Sequence, residues 1–105
     1  MRISEVALVP SERELRRRRL LEALRPRGVR ERVRTRLGVG WTAAQVASRV
    51  SRDVYADAVD LTAEVHADLL ALVADGLVLR ERVRWTAHLN TKGPRDMVVD
   101  VFRLA

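Results

Sequence analysis

Residues 62–89 read TAEVHADLLALVADGLVLRERVRWTAHL, and the spacing of their apolar side chains changes at Gly76. Before it, Val65, Leu69, Leu72 and Val73 recur three and four residues apart, the spacing of one helix face. After it, Leu77, Leu79, Val83, Trp85, Ala87 and Leu89 hold odd positions, and Arg80, Arg82, Arg84 and His88 hold even ones. Glu81 is the exception among the odd positions. This pattern predicts a helix opened by Asp60 or Thr62 and closed by Gly76. A half-buried strand follows, its apolar odd face inward and its basic even face outward.

Downstream, Asn90-Thr91-Lys92-Gly93-Pro94-Arg95 is a turn-forming loop longer than a tight two-residue hairpin turn. A return strand from Asp96 or Met97 to about Leu104 carries Val98, Val99, Val101 and Phe102. Upstream, Thr42 and Gln45 have capping-box spacing, which opens a helix through Val50 with Ala43, Val46, Ala47 and Val50 on its buried side. A polar, acidic connection from Ser51 to Asp60 joins these two helices. Earlier still, Ser11 and Glu14 form a second capping-box pattern ahead of Leu15, Leu20, Leu21 and Leu24, and Pro26 ends that helix. A short helix over 27–37 places Val29, Val33 and Leu37 on one face, with Gly38 as its terminator. Val39-Gly40-Trp41 is an extended link, and residues 1–10 are a strand or an arm ended by Pro10.

The order helix, helix, link, helix, connection, helix, hairpin resembles the winged helix-turn-helix superfamily, most closely from Trp41 to Leu104. Thr42-Ala43-Ala44-Gln45-Val46-Ala47 is similar to the second helix of such a motif, where a small residue admits the next helix. Leu69 to Val73 running through Asp75-Gly76-Leu77-Val78 is similar to a recognition helix entering its wing. The resemblance implies an α+β, mostly helical fold: a winged helix-turn-helix with a C-terminal β-hairpin wing and an extra N-terminal helix. Residues 1–105 then form one domain, divided into an arm (1–10), basic helices (11–37), the helix-turn-helix (42–76) and the wing hairpin (77–104). The connection from Val50 to Thr62 is longer than the superfamily's usual tight turn.

Charge sharpens the functional expectation. The chain of 105 residues carries a formal net charge of +6, and Lys92 is its single lysine. Such an excess favours a polyanionic partner, and the planar guanidinium fork suits phosphate. Residues 12–36 hold eleven arginines against four glutamates, +7; residues 80–103 hold six basic against three acidic residues, +3. Residues 53–75 hold six acidic residues and no lysine or arginine, −6. A recognition helix presenting Glu64 and Asp68 would be repelled by phosphates. Two readings answer this conflict. In the first, double-stranded DNA is held by wing and N-terminal-helix arginines: Arg16, Arg17, Arg30, Arg34, Arg80, Arg82, Arg84, Lys92 and Arg95. In the second, Glu64, Asp68 and Tyr55 form a protein-interaction surface for a basic partner, and a homodimer is one form of it.

Other classes find no footing in the residues. There is no cysteine, so disulfides and thiolate sites are excluded and a reducing cytoplasm is the expected compartment. No apolar run reaches membrane-spanning length, and the start lacks the pattern of a secretory signal, so no membrane association is expected. His66 and His88 lie on different elements without metal-ligand spacing, and no nucleophile or phosphate-loop motif occurs. The expectation is a DNA-binding transcriptional regulator, not an enzyme, working without cofactor.

Overall fold

The computed structural model describes residues 11–88 and 94–105, with the side chains of 85–88, 94 and 95 excepted. The expected arm at 1–10 and the loop residue Lys92 lie outside the described residues.

Among the described residues, four α-helices and a three-stranded antiparallel sheet make up an α+β fold. They are α1 (Glu12–Leu24), α2 (Gly28–Arg36), β1 (Trp41–Thr42), α3 (Ala43–Arg49), α4 (Leu61–Ala74), β2 (Val78–His88) and β3 (Pro94–Leu104). The connection between α3 and α4 contains one 3-10 turn, Arg52–Val54. Local chemistry sets the boundaries. Ser11 accepts the Glu14 amide, and Thr42 and Gln45 complete a reciprocal capping box with bonds of 3.2 and 3.0 Å. Asp60 caps α4 by accepting the Ala63 amide. Gly76, at φ +77°, ends it: the Gly76 amide donates to Val73 and the Leu77 amide to Leu72.

The sheet order is β1-β3-β2, so the last strand is the central one. Trp41 pairs with Phe102 on one side of β3, and Arg80 pairs with Phe102 on the other. Gly40 runs so close to this strand that a Cβ would stand 2.9 Å from the Phe102 carbonyl oxygen. Leu20, Val46, Val65, Leu69, Leu72, Val78 and Phe102 fill the core, between α1, α3 and α4 and the base of the hairpin.

Two expectations are corrected here. In β2 the inward residue is Val78, at 1% exposure, while Leu77, Leu79 and Val83 are exposed. The sequence alternation has the right period and the wrong frame. Only the base of the hairpin enters the core, and beyond Arg80 the described side chains of both faces are exposed or half-buried. There the alternation separates charge from apolar surface without separating inside from outside. The Arg80/Arg82/Arg84 face is accordingly the one that continues from Val78, on the α4 side. Helix α2 likewise forms as predicted but buries nothing. Val29, Val33 and Leu37 stand 71%, 49% and 75% exposed.

Side chains clamp α2 to the body where apolar packing does not. Arg49 pairs with Glu31 through two bonds of 2.8 and 3.1 Å, and its Nε donates to the Ala23 carbonyl at 2.9 Å. Arg49, and after it the Arg27 amide, hold the Glu31 carboxyl below the usual carboxylate range. Arg34 donates to the Gly40 carbonyl, and the guanidinium groups of Arg34 and Arg49 lie 4.1 and 4.2 Å from the Trp41 ring centre.

Candidate nucleic-acid interface

The acidic stretch 53–75 is largely the internal counter-charge of α1. Arg16 reaches Glu64 at 3.6 Å and Asp68 at 3.9 Å, donates to the Val54 carbonyl, and lies over the Tyr55 ring. Arg17 pairs with Asp75, and Arg19 with Asp53 at 3.2 Å. Asp60 is spent on the α4 cap. Of the six acidic residues, Asp57 alone has no partner among the described residues. Ser51, then Arg19, hold the Asp53 carboxyl below its ordinary range. These pairs are part-exposed, so each contributes little to stability; their effect is on the field that the surface projects.

Tyr55 is buried and donates to Asp68 at 2.6 Å. Burial first, and the neighbouring Asp68 carboxylate second, push its phenol well above the usual value. Its contribution to stability is therefore complete below about pH 10, where a free tyrosine ionises, and is lost only as pH rises further. As this is the one tyrosine of the chain, absorbance at the tyrosinate band reports it directly. We expect no tyrosinate up to about pH 11 while the protein stays folded, and abrupt ionisation on unfolding. A simple titration near pH 10 in the folded protein would refute the Tyr55–Asp68 contact.

With its acidic flank tied to α1, α4 turns an uncharged face outward: Ala63, Ala67 and Ala74 are exposed. Cations stand on both sides of it. On the α1 side, Arg13 shares a shallow recess with Asp68 and Ala71, is exposed, and has no ion-pair partner among the described residues. On the hairpin side, Asp100 gathers Arg82 at 3.5 Å, His66 at 3.6 Å and Arg80 at 3.9 Å, and the His66 ring meets Phe102 edge-on. Arg84 continues this face with no ion-pair partner among the described residues. Two arginines sharing one carboxylate leave this part of the strand face positive.

The nine arginine and lysine positions expected from sequence therefore separate. Arg80 and Arg82 come together beside α4 at Asp100, whereas Arg84, further along the strand, lines a cleft with Glu81, Val83, Val99 and Val101. Arg16 and Arg17 lie next to the same helix but are occupied by its acids. Arg30 is exposed on α2, and Arg34 is turned to Gly40 and Trp41. Lys92 and the Arg95 side chain lie outside the described residues. Glu64, Asp68 and Tyr55, expected as a partner surface, are engaged within the chain, so a protein docking there would have to displace Arg16. Arg13, Arg49 and Asp100 were not singled out from sequence. Arg13 has a local signal, being an arginine of the first helical turn with no glutamate four residues away. The Arg49 contacts span 18 and 26 residues, which no short-range pattern shows.

Among the described residues no helix is long and apolar enough to cross a membrane, and no cluster of histidine and carboxylate side chains could hold a metal ion. Comparison of the chain with protein-family models, with curated proteins and with solved structures gave no match.

Proposed function

We propose that this chain is a winged-helix protein that binds double-stranded DNA, acting as a small transcriptional regulator without cofactor. The element order α1, β1, α3, α4, β2, β3 and the sheet order β1-β3-β2 accord with that architecture, α2 being the additional helix. One observation carries the reading. The acids of α4 face α1, where Glu64 and Asp68 share Arg16, and this leaves an uncharged helix face between the β2 arginines and Arg13, which has no ion-pair partner among the described residues.

On this reading α4 enters the major groove with its alanine face. Small side chains permit close approach to base edges and apolar contact with thymine methyl groups. Arg13 on one side and Arg80, Arg82 and Arg84 on the other meet phosphates flanking the groove, and these contacts provide most of the affinity. On the same reading Lys92 and Arg95, which flank Gly93-Pro94 in sequence, contact an adjacent minor groove, whose narrow A·T tracts attract arginine.

Fluorescence anisotropy of a labelled random-sequence duplex, titrated at several salt concentrations, tests this. Four to six phosphate contacts predict a log–log salt slope of about −4 to −5. A flat salt response, or no binding at about 50 mM salt, would show that the positive field is spent inside the protein.

A further inference from the structure

We propose that the cleft on the sheet face opposite α4 binds a small zwitterion with an apolar body, a free apolar amino acid or a short apolar peptide. This goes beyond the DNA-binding reading and does not depend on it.

The cleft has an apolar floor with charges at its margins. It measures about 510 Å³, a volume common among small-molecule sites, and Val83, Val99 and Val101 floor it beneath a wall that includes Val39. Strand register sets this floor. Thr42, Val101 and Glu81 share one rung of the sheet, and Val99 and Val83 share a rung two residues further out on the same face. Glu81, the exception in the strand alternation, therefore places a carboxylate beside a valine surface. It is exposed and has no partner among the described residues.

Arg34 supplies the opposite charge. Arg34 and Arg49 both lie over the Trp41 ring, but only Arg49 has a carboxylate partner, Glu31. Arg34 is fixed by its bond to the Gly40 carbonyl at 3.0 Å, and its Nε is buried with no hydrogen-bond partner among the described residues. A partly desolvated guanidinium without a counter-ion is costly, and an anion in the cleft offsets that cost. Gln45, which also lines the cleft, accepts the Thr42 amide through its side-chain oxygen and keeps its NH2 group to donate. Arg84 borders this cleft as well as the α4 side, because β2 is an edge strand. Both arginines line the same cleft as Glu81, yet neither forms an ion pair with it. A ligand carboxylate meets the arginines, a ligand ammonium meets Glu81, and the apolar body covers the valines. A plain carboxylate would leave Glu81 uncompensated, and a plain amine would leave Arg34 so.

Isothermal titration calorimetry of the full chain, without DNA, tests the proposal with leucine, phenylalanine and leucylleucine as probes. The expected result is saturable binding with a dissociation constant of about 1 mM or tighter. Blocking either charge, as in N-acetyl-leucine or leucinamide, should weaken binding about tenfold or more, and glycine should not bind. Tighter binding of leucylleucine than of leucine assigns the site to peptides, and the reverse order assigns it to free amino acids. Val83→Asp should abolish binding, and Glu81→Gln should remove the preference for leucine over N-acetyl-leucine. Both side chains are exposed, so the circular dichroism spectrum should not change. Val59→Asp, at a fully exposed site on the α3–α4 connection, should leave binding intact. Failure of every probe to bind at about 10 mM overturns the proposal, as does binding indifferent to Val83→Asp. N-acetyl-leucine binding as tightly as leucine overturns the role of Glu81. Zwitterion binding by a chain that does not bind DNA would count against the DNA reading alone.

Discussion

Replacing Arg80, Arg82 and Arg84 together by alanine is expected to weaken duplex binding about 100-fold near 0.1 M salt and to make the salt slope shallower by two to three. The size follows from counterion release, in which each lost phosphate contact removes nearly one unit of slope. Asp100 adds to the loss, because without Arg80 and Arg82 its carboxylate faces the phosphates uncompensated. The converse variant has the opposite sign. Asp100→Asn frees both arginines and should tighten binding several-fold, with a steeper salt dependence. Both variants alter part-exposed side chains outside the core, so unchanged thermal unfolding is the control. If the triple variant binds as tightly as the parent, this face does not touch DNA.

Phe102→Ala is expected to cost about 3–5 kcal/mol, a large part of the stability of a domain this size, which is typically about 5–15 kcal/mol. Phe102 is fully buried on the central strand, opposite Trp41 and Arg80, against the His66 ring and beside the Gly40 backbone. Its loss opens a cavity where the three strands and α4 meet, and surrounding backbone cannot collapse into it easily. Urea denaturation should show the midpoint falling steeply or the cooperative transition disappearing. Phe102→Leu should recover most of the loss. A cost for alanine below about 1 kcal/mol would mean that the hairpin base is not part of the core.

What sequence reveals here is mostly local. Helix ends were legible because capping is a matter of three or four residues, as at Thr42 with Gln45 and at Asp60 with Ala63. The strand period was legible for the same reason. Which strand face is inward was not, because Val78 and Phe102 decide it across 24 positions, and the projecting part of the hairpin has no inside. The clash between an acidic helix and a DNA-binding fold looked real in a linear charge count. It dissolves once Arg16 and Arg17 lie against α4, a pairing across about 50 residues that spacing rules do not reach. Exposed apolar surface was invisible for a related reason: Val29, Val33 and Leu37 have the spacing of buried residues, and only the fold shows them exposed.

The position of β3 at the centre of the sheet bears on how the protein is made. Among the described residues β1 and β2 do not pair with each other; each pairs with β3. During synthesis, Trp41–Thr42 and Val78–His88 therefore emerge as unpaired edges and stay so until Pro94–Leu104 has left the ribosome. The helices can associate before that moment, but without Phe102 they lack one wall of their core. The described sheet therefore cannot form until β3 has been made, because β1 and β2 both pair with it.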